Sequence, residues 1–575
     1  STIPVVFSGC SGLLSLPTSG RILNTSVLLC RSWGFDELCS RKLFRTIAEA
    51  LSEQGFPVLR FDYPGTVDSL DQVKSNGLSD WTAAAGAACD LLKDRTGSGT
   101  IIAFGLGLGA IVAHALAEER QDIGGLIFAA PVTSGRRYLR ETSLRAKVIA
   151  EGLGLRAEAV PNDPGSIGGL VMPGPLAADL KAAKLETNAA DQSVPTLVLA
   201  RNTIATDTDL AEQLRSQGVS VTVENFDGYE ALMDNPTLSV MPPSVVDKIR
   251  AWCSAHFPDD RVQQADNKTH MPAQILQGSH FSEEALNLGT SSLLYGILCK
   301  PAKPTAGPVL VFLNAGYDHH GGWARNWVKA SRALASEGIT SLRFDMAGIG
   351  DSPPKQNVPD QVLYTDGPIN DVSEALNILQ TRYDGPIILV GRCSGAYTAF
   401  HAASRDPRIT GLALINQLRL IWDPEESITD PSRMGPRSMA DYKKKMVEIN
   451  TLRRLLNGNI DIRGVLRGLG IHAVTKASHV LAPIFPGISK YARFRAQCHR
   501  MFADFDQREV SIHILCSEGD ESLEQLDLYF GANHKGLDKY PLVSVTKIPD
   551  ADHNLTPLPA QAALIRFLKD VAAQD

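Results

Sequence analysis

Residues 55–69, GFPVLRFDYPGTVDS, return at 338–352 as GITSLRFDMAGIGDS, with eight identities in 15 at an offset of 283. A chain that repeats itself at that distance folds as two copies of one domain, so the duplication constrains the architecture more than any single motif does. The 575-residue length alone would suggest three or four domains. The repeat continues at 104–110, FGLGLGA, which lies over 390–396, VGRCSGA, and at 227–230, DGYE, over 550–553, DADH. The offset grows from 286 to 323 between these points, so the second copy carries the longer insertion.

Each copy alternates short apolar strands with helical segments, at 43–51, 81–92 and 111–118 in the first and at 330–335 and 372–380 in the second. That rhythm predicts βαβ units and an α/β fold with mostly parallel sheets flanked by helices. Residues 258–268 are polar and aperiodic, which sets the expected boundary: an N-terminal domain at 1–262 and a C-terminal domain at 263–575.

The second copy holds a strand, a tight turn and a helix in the order 386–390, PIILV, then Gly391-Arg392-Cys393-Ser394-Gly395, then 396–403, AYTAFHAA. This is the nucleophile-elbow pattern, with cysteine where serine is usual. Glycines two residues to either side are required because a neighbouring Cβ would collide with strand or helix. A thiol placed there gains acidity from the helix N-terminus. The plain alternative is a buried cysteine in an ordinary turn, and Ser394 has its flanking glycines at the wrong spacing for a nucleophile.

A cysteine nucleophile needs a base, an acid that fixes the base, and oxyanion donors. The architecture orders them nucleophile, acid, histidine. Residues 510–516 read as a strand running into Ser517-Glu518-Gly519-Asp520-Glu521, where Asp520 is the expected acid, with Glu518 and Glu521 as neighbouring alternatives. The next strand, 542–548, ends in a loop bearing His553, the expected base. The expected oxyanion donors are the N–H of Ser394 and an N–H of Gly316 or Tyr317, in the loop after the strand at 308–313. Arg392 is a candidate either for a local ion pair or for binding a substrate carboxylate. His319 and His320 are adjacent and lack companions at ligand spacing, so no metal and no cofactor is expected.

The first copy reads as catalytically degenerate. Gly107 takes the place of Cys393 and Glu230 that of His553. Its GLGLGA also matches a dinucleotide fingerprint, but the following strand, 125–131, does not end in the ribose-binding acid.

The net charge of −7 argues against nucleic acid as a partner. The nine cysteines are odd in number and without paired spacing, and no signal or membrane-spanning run is seen, so the expectation is a cytoplasmic protein. Residues 431–500 carry 14 Lys or Arg against three acids. Met446, Ile449, Leu452 and Leu456 form an apolar stripe there, which predicts a basic helical lid at about 420–500. Such a lid would recruit something anionic: a small-molecule or carrier-bound acyl substrate, or a membrane surface.

With LRFDYPGT and GLGLGA in the first half and LNAG, LRFDMAGIGDS and GRCSGA in the second, the chain resembles the α/β-hydrolase superfamily, and within it the paired hydrolases associated with exosortase A systems. The resemblance implies Cys393, Asp520 and His553 as a triad. It also implies acyl chemistry on an ester or thioester, ending in hydrolysis or transfer. The alternative is a non-catalytic binding or scaffolding pseudohydrolase.

Overall fold

The computed structural model describes residues 1–18, 21–159, 161–185, 194–236, 239–258, 263–264, 274–289, 294–356, 363–426 and 490–574. The chain packs into two compact units. Residues 1–305, 317–361 and 556–558 form the first, and 306–316, 362–555 and 559–575 the second. Packing thus groups the chain differently from the sequence repeat. The expected boundary falls largely on 259–262 and 265–273, and the core of the expected lid on 427–489, all outside the described residues.

In the first unit, strands β1 (Thr2–Phe7), β2 (Cys10–Ser15), β3 (Arg21–Ile22), β4 (Thr25–Cys30), β5 (Val58–Phe61), β6 (Thr100–Leu106), β7 (Ile123–Ala129), β8 (Thr196–Ala200) and β9 (Val221–Asn225) follow in chain order. Eight of them form one sheet, ordered β1-β2-β5-β4-β6-β7-β8-β9. Its first two pairings, β1 with β2 and β2 with β5, are antiparallel, and the rest are parallel. β10 (Gln263–Gln264) pairs with β3. The same unit holds β11 (Ile275–Gln277), β12 (Phe281–Leu288) and β13 (Leu294–Pro301), antiparallel neighbours in that order.

The second unit opens with β14 (Val309–Phe312), whereas β15 (Ser341–Phe344) pairs antiparallel with β13 in the first. β16 (Ile387–Arg392), β17 (Ile409–Ile415), β18 (Ser511–Ser517) and β19 (Val543–Ile548) complete the second unit. Its strands run parallel in the order β14-β16-β17-β18-β19, as β4-β6-β7-β8-β9 do in the first. Even an irregularity recurs, because the register slips between Ile101 and Ile102 and again between Ile387 and Ile388. β6 and β16 are buried on both faces, as strands covered by helices must be, which is why they read as continuous apolar runs.

The repeated LRFD motif has a structural office within the first unit. Arg60, on β5, places Nε 3.1 Å from Asp351 Oδ1, while Arg343, on β15, places Nη2 2.9 Å from Asp68 Oδ1. Each arginine therefore pairs with the second aspartate of the other copy's motif. Arg41 adds a 2.7 Å contact to Asp351, and Glu283 a 2.9 Å contact to Arg343. The motif serines act alike, Ser69 Oγ donating to the Asp62 carbonyl at 2.5 Å and Ser352 Oγ to that of Asp345 at 2.6 Å. All of these groups are buried, so the pairing is what makes their burial tolerable.

His320 belongs to this cluster. Its Nε2 lies 2.7 Å from Asp68 and its Nδ1 2.8 Å from Asp345. Burial favours the neutral ring, but the two carboxylates overcome it and raise the imidazole to about 10. His320, Asp345 and Asp351 are spaced as three metal ligands could be, yet both ring nitrogens are already held by carboxylates.

Candidate active site

β16 is followed without a break by the helix Ser394–Ala403, and Cys393 sits at the junction with φ 55° and ψ −119°. That left-handed conformation costs about 1–3 kcal/mol in a residue with a Cβ and persists only where the surroundings impose it. They do so here through the flanking glycines. A Cβ on Gly391 would lie 2.2 Å from the Gly395 carbonyl oxygen, and one on Gly395 would lie 2.4 Å from that of Asn314. The turn is pinned by the Cys393 N–H, which donates to Ile415 O at 3.0 Å.

Cys393 is the one cysteine of the nine that is not fully buried. Burial pushes its thiol up, but the His553 imidazole, the Arg392 guanidinium and the Ser394 N–H together bring it below the ordinary value. His553 answers in the opposite sense. Burial favours its neutral form, and Cys393 and Asp520 raise its pKa well above the usual histidine range. The His553 Nε2 is buried, and the Cys393 thiol and the ring lie near enough for each to perturb the other.

His553 Nδ1 lies 2.8 Å from Asp520 Oδ2. Asp520 caps the helix Glu521–Phe530, its other oxygen accepting from the Ser522 N–H at 2.9 Å. Burial would raise its carboxyl, but His553 and Ser522 hold it below the ordinary carboxylate value. Of the three acids in this turn, Asp520 is the one that meets the histidine. Glu521 is 3.3 Å from Arg419, and Glu518 is exposed.

The oxyanion candidates fare differently. Ser394 follows Cys393 at the helix N-terminus as expected. The Gly316 N–H, however, donates to Ser394 Oγ at 2.8 Å, leaving that hydroxyl its own proton to offer. Tyr317 opens the stretch 317–361 that packs with the first unit. Arg392 is buried, and its Nη1 donates to the Asn554 side-chain oxygen, one residue beyond His553.

Two residues escaped the sequence reading. Asn416 closes β17 with φ 44°, and its Nδ2 donates to the His553 carbonyl at 2.9 Å and to Ser517 Oγ at 3.0 Å. Its Oδ1 accepts from the Ser517 N–H at 2.7 Å, and Ser517 Oγ donates to Asp552 O at 2.9 Å. One fully buried amide thus ties the acid's strand to the histidine's loop. A polar residue directly after the apolar run 411–415 was the available signal. Tyr364, at φ 58°, stacks on Trp422 with centroids 4.3 Å apart. Burial raises its hydroxyl well above the usual phenol range and the nearby Cys393 sulfur raises it further. Nothing in the sequence flagged this tyrosine, because it comes from an irregular loop.

The first copy preserves the frame of the elbow. A Cβ on Gly105 would lie 2.3 Å from Gly109 O, and one on Gly109 2.1 Å from Cys30 O. The Gly107 N–H donates to Ala129 O at 3.0 Å, matching the bond at Cys393. Ile204 caps the helix Ala205–Ser216 where Asp520 caps its counterpart. Glu230, aligned with His553 in sequence, is exposed, and it is Tyr229 that lines the cavity beside Gly107.

Comparison with known families agrees with this frame. Residues 308–455 match the family described as alpha/beta hydrolase fold, and residues 32–165 match that described as serine aminopeptidase, S33. The chain carries two α/β-hydrolase domains. Both family matches place it among enzymes of the α/β-hydrolase class. No protein of curated function matches it. Among solved structures it is similar to an alpha-beta serine hydrolase homologue from Coxiella burnetii, at 11% identity and TM-score 0.28 over 52% of this chain and 96% of that one. A lidless a/b serine hydrolase from Xanthomonas campestris gives 13% and 0.29 over 53% and 97%. A sugar hydrolase from Lactococcus lactis gives 15% and 0.31 over 44% and 97%. Among the described residues no helix of this α/β-hydrolase is long and apolar enough to cross a membrane.

Proposed function

We propose that the C-terminal copy is a cysteine-nucleophile acyl hydrolase or acyltransferase acting on an ester or thioester. The observation that carries this reading is the His553 ring, bonded through Nδ1 to Asp520 and electrostatically coupled to a thiol on a strained elbow. The Cys393 thiolate attacks the carbonyl carbon, and the oxygen collects charge facing the Ser394 N–H and hydroxyl. As the C–O or C–S bond breaks, the His553 imidazolium gives its proton to the leaving group. An acyl thioester on Cys393 remains. Water or a thiol, amine or hydroxyl acceptor then loses a proton to His553 and attacks that thioester, whose C–S bond breaks to return the thiolate beside the imidazolium.

Asp520 holds the ring and offsets its charge through the cycle. Arg392 and the helix N-terminus favour the thiolate. A degenerate role for 1–262, an anionic acyl substrate on a small molecule or carrier, and a cytoplasmic setting belong to the same proposal. The experiment is intact-protein mass spectrometry after exposure to p-nitrophenyl acetate. One acetyl adduct is expected on the native chain and none on Cys393→Ala, and an adduct that persists in the variant refutes the nucleophile.

A further inference from the structure

The first copy has Gly107 where the second has Cys393, and a cavity stands open beside it. A cavity of about 180 Å³ opens at Gly107, walled by Trp33, Phe35 and Tyr138 and entered by Arg145 and Arg201. An apolar void of about 150 Å³ holds a benzene molecule. The inner end keeps the frame of the elbow: a glycine at φ 57° and the N-terminus of the helix Gly109–Glu119.

The arginines are fixed in place. Arg201 binds Asp207 through Nε at 2.8 Å and Nη2 at 2.7 Å, and its guanidinium lies 5.4 Å over the Tyr229 ring. Arg145 binds Asp36 at 2.8 Å and lies 5.3 Å over the Phe35 ring. With Arg137, three guanidinium groups line the cavity, each held by one carboxylate: Arg137 by Glu141, Arg145 by Asp36 and Arg201 by Asp207. Aromatic walls and guanidinium groups fixed over aromatic faces, with N–H edges left over from their carboxylate partners, suit a ligand with an apolar body and a carboxylate head.

We propose that the vacated elbow of the first copy is a binding site, without chemistry, for a small carboxylic acid with an apolar body. The test uses the full-length protein and benzoate, followed by isothermal titration calorimetry, with benzamide as the uncharged comparison. Saturable binding of one benzoate per chain is expected, with benzamide at least about tenfold weaker. Thr206→Trp, at the half-exposed rim, and Arg201→Gln should each weaken benzoate by about tenfold or more. Should Arg201→Gln lose its native circular dichroism, Thr206→Trp decides alone. Carboxymethylation of Cys393 should leave the titration unchanged. No heat up to about 10 mM benzoate, equal affinity for benzamide, indifference to Thr206→Trp, or loss on carboxymethylation would each overturn the proposal. The last outcome would move the site to the second copy, and the acetylation experiment on Cys393 stands or falls separately.

Discussion

Arg343 of one motif copy and Asp68 of the other meet at 2.9 Å inside the first unit, and the inverted pair, Arg60 with Asp351, meets at 3.1 Å. A buried pair of this kind is costly to break from one side, because the survivor is an uncompensated charge. Asp68→Asn should lower the stability by about 3–5 kcal/mol, read as a reduced denaturant midpoint of the first unit. The double change Asp68→Leu with Arg343→Met should cost distinctly less than the sum of the two single changes. Additive losses would show that the groups do not interact.

The same cluster predicts an alkaline limit. His320 is raised to about 10 when folded against about 6.5 unfolded. A raised group contributes stability that is complete below its unfolded pKa and is lost as pH rises through its folded one. The thermal unfolding midpoint of the native chain should therefore fall between about pH 6.5 and 10, and His320→Gln should flatten that slope. Asp68 is lowered well below its ordinary value, burial being outweighed by His320 and Arg343, so its share is lost instead as the solution becomes acidic.

At the elbow, the lowered thiol gives a pH test of the proposed nucleophile. Alkylation of Cys393 by iodoacetamide should show a midpoint below the ordinary thiol value of about 8.5. His553→Ala removes the largest opposing influence to burial and should move that midpoint upward. An unchanged midpoint would place the thiolate's stabilisation elsewhere, at Arg392 or the helix terminus.

Asn416 touches no reacting atom and acts through the histidine loop. Asn416→Ala should reduce kcat by about 10–100-fold with little change in KM, and should shift the alkylation midpoint toward the ordinary thiol range. A purely structural role would lower the melting temperature and leave that midpoint in place.

Gly391→Ala and Gly395→Ala set a Cβ 2.2 Å and 2.4 Å from backbone oxygens. Neither obstacle is a flexible side chain, so each change should destabilise the second unit by more than about 3 kcal/mol or prevent its folding, checked by circular dichroism and proteolysis.

Much of this was legible in the sequence because it lives in local pattern. The elbow, the strand ending at Ser517 and the loop ending in His553 are each marked by an apolar run stopping at glycine or a polar turn, and the α/β-hydrolase order supplies the rest. Asp520 is the acid the sequence favours over its neighbours Glu518 and Glu521, and which side chain turns toward the histidine is a matter of the helix cap. Asn416 and Tyr364 act through contacts across 137 residues to His553 and from an irregular loop to the sulfur, and no periodicity encodes such meetings. The Gly316 N–H donates to Ser394 Oγ because a hydroxyl one position after Cys393 can reach it, a competition that motif logic does not express. In the first copy the alignment chose Glu230, whereas the short helix Tyr229–Met233 turns its first residue inward.

The crossed arginines of the LRFD motifs bear on how such a gene can evolve. Severed between the repeats, the amino-terminal half would keep Arg60 without Asp351, and the carboxy-terminal half would keep Asp351 without Arg60 or Arg41, each ion stranded in an interior built for a partner. The fusion therefore resists reversal. The half with glycine at its elbow cannot be discarded while its sibling still depends on it for counter-ions.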